Sequence, residues 1–424
     1  MSIRFLHCAD IHLGYQQYNS DERYNDFGRA FEHLVDDALE RRVRFLLLAG
    51  DLFHKRIVDP LTLLQASAGL QRLREAGIPV YAVEGNHERP HYRERLSWLD
   101  YLTEAGLLIT LCPRYEGGQL LLEPWDLDTR SGAYVDLPEG IRILGAKYYG
   151  AVTPRVVRDM TAALQALPGP RPAYTILMLH AGLEGILDNY SATLRRADLD
   201  PLRPLVDYLA LGHIHKPFVQ DNWIHNPGSL ETNSVAEAAW EERGYFVVEV
   251  EPHAARKHRV ERVCPPRRPF VRLSFAVDTY ETPQALLDAV EAFLKEQAEP
   301  ALVAQRPVVE LRLHGILPFE RLDLDTTHIE RLLKAAFDPL VVLIRDLSTP
   351  SAFEIRTTEA MSRAELERHV LTELLERDIR RREDSARWAD MVLRLKTLAL
   401  GSRPPEEIAA ELRRFRQEQE GATC

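Results

Sequence analysis

The sequence has few cysteines. Its 424 residues include four, and no two of them have the C-x-x-C spacing of a zinc-thiolate site or a redox pair. Four scattered thiols also provide no disulfide framework, which favours a reducing compartment, and we expect the chain to act in the cytoplasm. The four are Cys8, Cys112, Cys264 and Cys424.

Long hydrophobic runs are also absent. The first ten residues, MSIRFLHCAD, meet a charged side chain too early for a signal sequence. No apolar run approaches the ~20 residues that a membrane-spanning helix needs. We therefore expect no membrane segment and no membrane partner.

Positive charge is scarce as well. The chain has 53 Lys and Arg residues against 64 Asp and Glu residues, a net charge of −11. This balance argues against a protein that holds nucleic acid through bulk basicity, so any DNA contact must be local or must use bound divalent cations. A hydrophobic content of 45% is ordinary for a globular chain, and the length suggests two or three domains.

The stretch from Phe45 to His54, FLLLAGDLFH, is the most informative one. Its apolar run predicts a strand buried on both faces, and Gly50 allows a sharp turn at the end of that strand. Asp51 is then placed at the carboxyl end of a central strand, where ligands collect in α/β sheets. A turn or helix-cap role for Asp51 is the alternative interpretation.

Four further predicted strands end in the same way, in side chains that can bind a metal ion. A single histidine at such a position is more often structural than functional, but five coincidences favour a metal site. We interpret four other histidines as structural: His7, His33, His225 and His258. The five predicted strands, each with the candidate residues that follow it, are Ile3 to Cys8 (Asp10, His12), Phe45 to Ala49 (Asp51), Val80 to Val83 (Asn86, His87), Thr175 to Leu179 (His180) and Tyr208 to Leu211 (His213, His215).

The residue types indicate the chemistry. Aspartate, histidine and asparagine together suit manganese, iron or zinc better than calcium, which prefers oxygen alone. Seven ligands are too many for one ion, but with one shared carboxylate they make two four-ligand shells, and Asp51 is the natural bridge. Such pairs of ions, ~3.5–4 Å apart, clamp a phosphoryl group and activate water, so we predict phosphoester hydrolysis.

The motifs resemble the metallophosphoesterase signature in its expected order: Asp10-x-His12, Gly50-Asp51, Gly85-Asn86-His87-Glu88, His180 and Gly212-His213-x-His215. Three stretches are further similar to the SbcD-type DNA double-strand-break repair nuclease, the bacterial and archaeal counterpart of the meiotic-recombination nuclease. They are DIHLGY at 10–15, GDLFH at 50–54 and ALGHIHK at 210–216. The resemblance covers roughly the first 260 residues by motif and the remainder only by general layout.

The resemblance implies roles for single residues. It places Asp10, His12, Asp51 and His215 around one Mn²⁺ ion, and Asp51, Asn86, His180 and His213 around a second. It implies that His87 protonates the leaving oxygen or stabilises the transition state, and that His54 orients the scissile phosphodiester. Support of a ligand carboxylate is the alternative for both. We expect Glu88 to hold loop geometry rather than metal. Tyr15 and Tyr18 are candidate DNA contacts, with core packing as the alternative, and Arg89 is a third candidate. The basic runs 89–95 and 256–268 could touch phosphates, although such runs are more often solvated. The ligand types also suit Fe²⁺ and Zn²⁺.

The predicted fold is α/β: a metallophosphoesterase β-sandwich flanked by helices, with a small α+β capping domain and a C-terminal helical tail. We predict a nuclease domain at 1–264, a DNA-contacting capping domain at 270–350 after the Pro-rich linker that begins at Cys264, and a tail at 361–420. Apolar stripes in the tail are too narrow for an independent core. They could fold back on each other or on the capping domain, or dock on a partner coiled coil, as the tail does in relatives.

These observations predict a manganese-dependent DNA phosphodiesterase. The resemblance implies that it is a nuclease with double-strand 3'-5' exonuclease and single-strand endonuclease activity. The resemblance implies action on the nucleoid with the SMC-like ATPase SbcC, and a homodimer formed through the helices at 61–73 and 96–101. These helices carry more apolar surface than one layer over a sheet requires, with packing within the monomer as the alternative; the apolar residues are Leu61, Leu64, Leu96, Trp98, Leu99 and Tyr101. Two alternatives stay open: a phosphoesterase of a small nucleotide or phosphoprotein, and a non-catalytic DNA-end tether. The LGY and DLFH stretches argue against the first, and the complete ligand set argues against the second.

Overall fold

The protein is described from a computed structural model. The structure describes residues 2–90, 96–187, 193–350, 362–376, 384–401 and 403–421. Within these residues no helix is both long and apolar enough to cross a membrane.

Strands occur between residues 3 and 350 of the described chain. In chain order they are β1 (Ile3–Cys8), β2 (Phe45–Leu48), β3 (Val80–Ala82), β4 (Ile109–Thr110), β5 (Arg114–Glu116), β6 (Gln119–Leu121), β7 (Tyr134–Leu137), β8 (Ile141–Ala146), β9 (Tyr174–His180), β10 (Gly182–Leu183), β11 (Thr193–Leu194), β12 (Tyr208–Gly212), β13 (Phe218–Gln220), β14 (Ile224–Asn226), β15 (Tyr245–Val250), β16 (His258–Val263), β17 (Phe270–Ala276), β18 (Val308–Leu317) and β19 (Val341–Pro350).

Helices lie between the strands and at the end of the chain. They are α1 (Asp21–Glu40), α2 (Pro60–Glu75), α3 (Trp98–Glu104), α4 (Thr153–Ala166), α5 (Arg196–Leu199), α6 (Pro283–Gln297), α7 (Pro300–Val303), α8 (Thr326–Phe337), α9 (Arg363–Glu376), α10 (Ser385–Leu400) and α11 (Pro405–Gly421).

Two six-stranded sheets form the body of the protein. The first has the order β16-β15-β1-β2-β3-β4 and the second β13-β14-β12-β9-β8-β7. Buried aromatic side chains of the two sheets pack on each other, and the rings of Phe5 and Tyr208 meet edge to face at 5.5 Å. The two packed sheets form the β-sandwich that the sequence predicted.

The strands that lead to the candidate site are parallel neighbours. β1, β2 and β3 pair in parallel in the first sheet, and β9 and β12 pair in parallel in the second. Apart from Ile3 and Arg4 at the start of β1, their residues are buried, as expected for strands covered on both faces. Because the carboxyl ends of parallel neighbours meet at one edge, the loops after these five strands are brought together.

Local signals set the helix that precedes β3. Asp59 accepts hydrogen bonds from the backbone N–H groups of Leu61 and Thr62, and Pro60 occupies the first helical position. The Asp-Pro pair explains both features, because the aspartate caps the first N–H groups and proline at the first helical position has no N–H to lose.

The remaining chain forms a third sheet and three terminal helices. β17, β18 and β19 pair in that order. The chain divides into two compact units, of which the first contains both six-stranded sheets and the second contains α9, α10 and α11. The domain limits 1–264, 270–350 and 361–420 stay a prediction.

The terminal helices pack on each other. Trp388 of α10 meets Phe415 of α11 with ring centroids 4.8 Å apart, and Arg368 of α9 pairs with Asp390 of α10. Packing of the tail helices on each other is one of the arrangements that the sequence analysis left open.

Candidate metal centre

Four of the predicted ligands lie in unusual backbone conformations. Asp10, His12, Asp51 and His213 have φ angles of 52°, 54°, 56° and 89°, in the left-handed region that residues other than glycine rarely adopt. Such strain costs of order 1–3 kcal/mol per residue and concentrates at functional sites. The turns aim these side chains toward one point at the edge of the two sheets.

Glycines beside the ligands provide the space for this turn. A Cβ atom at Gly50 would lie 2.2 Å from Nδ1 of His180, and one at Gly85 would lie 2.0 Å from Oδ1 of Asp51. Neither contact can be relieved without moving a candidate ligand.

The structure brings all seven predicted ligands together. Two overlapping clusters have ligand atoms within 4.8 Å of one another: Asp10 with His12 and His215, and Asp10 with Asp51 and His180. Asn86 and His213 complete the group. Oδ1 of Asn86 lies 3.0 Å from Nε2 of His180, and the His213 ring lies 5.0 Å from the His180 ring. Asp10 belongs to both clusters. The sequence analysis assigned it to only one of the two ions, whereas the structure places it close to the ligands of both.

Buried negative charge at this site has no fixed cation beside it. Asp10 and Asp51 are fully buried, and the only charge partners of Asp51 among the described residues are His12 and His180. Burial raises the pKa of Asp10 to about 6. Burial also acts on His180, but the attraction of Asp51 outweighs it and raises the pKa of His180 to about 9. The carboxylates thus draw a proton onto an imidazole, so this donor set fits one or more metal cations.

A buried carboxylate fixes the orientation of His215. Nδ1 of His215 lies 2.9 Å from Oε1 of Glu237, so this nitrogen donates its proton and Nε2 faces the centre. The other oxygen of Glu237 accepts from Arg243 at 2.6 Å. A carboxylate behind a histidine is a usual support of a metal ligand. Sequence analysis did not find Glu237, because no short motif links it to the strand ends.

Glu88 holds the backbone of two loops of the centre, in agreement with the role in loop geometry that we expected. Its carboxylate accepts hydrogen bonds from the N–H groups of Asp51, Leu52, Phe53 and Gly85. Burial and the charge of Asp51 together raise the pKa of Glu88 to about 8. Glu88 therefore joins the loop that carries Asn86 to the loop that carries Asp51.

His87 and His54 line the open side of the centre. The backbone N–H of His87 donates to Oδ1 of Asp51 at 3.0 Å, and its Nδ1 donates to the carbonyl oxygen of His54 at 2.6 Å. This leaves Nε2 of His87 as the nitrogen that can exchange a proton with a substrate. His12, His54 and His87 form a third cluster of ligand-type atoms, so the geometry is also compatible with a metal contact.

The candidate DNA contacts differ in their surroundings. The ring of Tyr15 stacks on His54 with centroids 3.7 Å apart, while Tyr18 is 37% exposed and Arg89 lies beside Tyr148. Tyr15 therefore fixes the plane of the His54 ring as well as facing the open side.

The basic runs are used partly inside the protein. Arg268 binds Asp26 at 2.8 Å, and Arg267 donates to the carbonyl oxygens of Glu241 and Arg243. These two side chains serve internal contacts, which corrects the expectation of phosphate contacts for that part of 256–268. In the run 89–95, residues 91–95 lie outside the described residues.

Comparison with known proteins identifies the family. Residues 3–217 match the model of the calcineurin-like phosphoesterases, about half of the chain. The chain belongs to the calcineurin-like phosphoesterase family, and the sequence-based assignment to the metallophosphoesterases is confirmed.

Three relatives, all archaeal and all named DNA double-strand break repair protein Mre11, are similar to the chain. The protein of Archaeoglobus fulgidus is 31% identical over 244 residues, covering 56% of this chain and 52% of the relative. That of Methanosarcina mazei is 29% identical over 308 residues, covering 70% and 44%. That of Haloferax volcanii is 30% identical over 316 residues, covering 74% and 62%. The chain thus spans about half the length of the curated relatives it matches.

Proposed function

We propose that the protein is a manganese-dependent DNA nuclease with double-strand 3'-5' exonuclease and single-strand endonuclease activity. The observation that carries the proposal is the convergence of Asp10, Asp51 and His180, with four further nitrogen and oxygen ligands, at one edge of the sandwich. Similarity to archaeal double-strand break repair proteins supports DNA as the substrate.

Each side chain has a place in this reaction. Asp10, His12, Asp51 and His215 would hold one ion, and Asp51, Asn86, His180 and His213 the other. Bound manganese would lower the pKa of a water molecule and neutralise charge on the phosphoryl oxygens. His87 carries a proton at Nε2 toward the leaving oxygen, and its Nδ1–H bond to the His54 carbonyl keeps that nitrogen pointed outward. His54, held by Tyr15, positions the phosphodiester.

Two substrates test the proposal. Linear duplex DNA and p-nitrophenyl phosphate are incubated with the purified protein and Mn²⁺, with an EDTA-treated sample as control. We expect shortened DNA only with Mn²⁺. Hydrolysis of the phosphatase substrate alone would favour a phosphoesterase of small molecules. DNA binding without any hydrolysis would favour the tether.

We further propose that the tail binds an SMC-like ATPase. Apolar side chains on α9 to α11 are partly left uncovered by packing among the helices, and Leu374 and Leu400 are 43% and 76% exposed. Such a surface suits docking on a coiled coil.

A chain that ends near Thr358, in a segment outside the described residues, removes this surface. We expect it to keep manganese-dependent cleavage of simple substrates because the metal centre lies far upstream in the sequence. It should no longer co-purify with the ATPase and should lose ATP-stimulated processing of blocked DNA ends. Equal retention of the ATPase by the truncated and full-length chains would contradict the tail assignment and leave the nuclease proposal intact.

A homodimer through α2 and α3 is the second assembly that we propose. Leu61, Leu64, Leu96 and Tyr101 are 56%, 64%, 63% and 48% exposed, and Ile57 beside them is 71% exposed. Leu99, which the sequence suggested for this surface, is instead fully buried in the core. Clustered exposed apolar side chains are typical of interaction sites.

Leu61→Glu places a charge in this surface. We expect the wild-type protein to have a dimeric mass at micromolar concentration in sedimentation analysis, and the variant to be monomeric. Leu322→Glu is the matched control, since Leu322 is 98% exposed elsewhere and its substitution should leave the mass unchanged. A monomeric wild-type protein would rule out the dimer.

A further inference from the structure

A pocket opens next to the metal centre, and none of the seven predicted metal ligands lines it. Its volume is about 480 Å³, within the range of small-molecule sites. It is lined by Arg56, Glu84, Arg89, Pro90, Lys147, Tyr148, Tyr149 and Val152.

Tyr148 forms the boundary between this pocket and the metal centre. Its ring lies 5.2 Å from the ring of His213 and 5.9 Å from the ring of His180. Its backbone N–H donates to the carbonyl oxygen of Glu84 at 2.8 Å, which ties it to the loop that carries Asn86. A substrate whose phosphate reaches the centre therefore has its next chemical group at this pocket.

Unpaired positive charge distinguishes the pocket. Arg56, Arg89 and Lys147 form no ion pair with a carboxylate in the part of the chain that the structure describes, although the protein has a net charge of −11. Arg23, by contrast, is paired with Asp26. Among the described residues that line the pocket, the one carboxylate is Glu84.

The lining matches the two parts of a nucleotide. Arginine and lysine side chains bind phosphate oxygens through charge-assisted hydrogen bonds. Tyrosine rings offer flat faces on which bases stack, independently of sequence. The guanidinium carbon of Arg89 lies 5.8 Å from the centre of the Tyr148 ring, so the cationic and aromatic parts adjoin.

We propose that this pocket binds the nucleotide on one side of the scissile phosphodiester and so selects polynucleotides over simple phosphodiesters. The inference rests on the proposed nuclease function and names Lys147 and Arg56 as residues that determine its substrate. Their side chains hold the flanking phosphate while Tyr148 and Tyr149 contact the base. The pocket lies on one side of the centre, so it can accept a nucleotide on only one side of the bond.

Two isomeric substrates test this geometry. The p-nitrophenyl esters of thymidine 5'-monophosphate and thymidine 3'-monophosphate attach the phosphate to opposite ends of the sugar, as the two neighbours of a DNA phosphodiester do. Bis(p-nitrophenyl) phosphate has no nucleotide. For Lys147→Ala and for Arg56→Ala we expect kcat/KM to fall roughly tenfold to a hundredfold with one isomer, mainly through KM. Activity on the other isomer and on bis(p-nitrophenyl) phosphate should stay within about twofold of wild type. Arg158→Ala removes an exposed cation of α4 that does not line the pocket, and it should change none of the three.

A binding measurement without metal makes the result independent of turnover. A 5'-phosphorylated thymidine dinucleotide is titrated into the EDTA-treated full-length protein, and the double variant Arg56→Ala/Lys147→Ala should bind it at least about tenfold more weakly than wild type. Two outcomes would overturn the pocket assignment alone. One is an equal loss of activity of the variants on all three substrates. The other is unchanged binding and kinetics of the variants while the wild-type protein still degrades duplex DNA. If wild-type protein cleaved bis(p-nitrophenyl) phosphate but neither nucleotide ester nor DNA, the nuclease proposal would fall together with the pocket.

Discussion

Asp51→Asn should abolish binding of both metal ions and reduce DNA cleavage to background. Asp51 is buried between the two ligand sets, with Nε2 of His180 3.3 Å and Nε2 of His12 4.0 Å from its Oδ2 atom. Replacing its carboxylate by a neutral amide removes the charge that both ions would share, so neither site can be filled independently. Metal content after dialysis, measured by atomic emission alongside cleavage of duplex DNA, checks this result.

His87→Ala provides the contrast. Loss of the proton donor should reduce turnover by roughly a hundredfold or more while metal content stays at the wild-type level, because His87 faces the open side of the centre. Asp36→Asn is the matched control for Asp51→Asn, since Asp36 lies on the exposed face of α1. If His87→Ala lost its metal as completely as Asp51→Asn, His87 would be a ligand and its assigned role would be wrong.

Acid should destabilise the fold through buried histidines that have no part in metal binding. His7 is fully buried between the sheets, where its Nε2 donates to the carbonyl oxygen of Leu211 and its Nδ1 accepts from the hydroxyl of Tyr208. Burial lowers the pKa of His7 to about 3. His225, stacked on the other side of Tyr208, is also buried, and burial lowers its pKa well below the usual range.

The sign of the effect follows from proton uptake. Below pH 6.5 the unfolded chain binds a proton at His7 that the folded chain does not bind until about pH 3, so stability falls as the pH falls through this window. Protonation of His7 alone should lower the free energy of unfolding by on the order of 4 kcal/mol at the acid end of this pH window. Urea unfolding in EDTA between pH 7 and pH 4 measures it without a contribution from metal release.

Two variants identify the source of this pH dependence. His7→Leu should be less stable than wild type at pH 7, because the Tyr208 hydroxyl loses its acceptor, but its stability should fall less steeply with acid. His253→Leu changes an exposed histidine and should keep the wild-type slope. An unchanged slope in His7→Leu would show that the acid response arises elsewhere.

The elements of the candidate site could be predicted because each leaves a local pattern. A buried parallel strand such as β2 is a short apolar run, and the following Gly50-Asp51 pair reports a turn that only glycine permits beside His180. The same reasoning found β9 with His180 within one residue at each end.

Other parts depend on contacts that sequence spacing does not encode. The left-handed conformations of His12 and His213 could not be predicted, since nothing in the neighbouring sequence demands them. Glu237 reaches His215 through a short helical turn 22 residues later, and its role depends on tertiary packing. Leu99 was misplaced for a related reason, because a short amphipathic pattern does not reveal which of its residues meets the core.

Diffraction from crystals soaked in Mn²⁺, recorded at the manganese absorption edge, tests the two-metal centre most directly. The account predicts two anomalous peaks per chain on opposite sides of the Asp51 carboxylate, one against His12 and His215 and the other against Asn86, His180 and His213. A single peak, or peaks that do not contact Asp51, would contradict it.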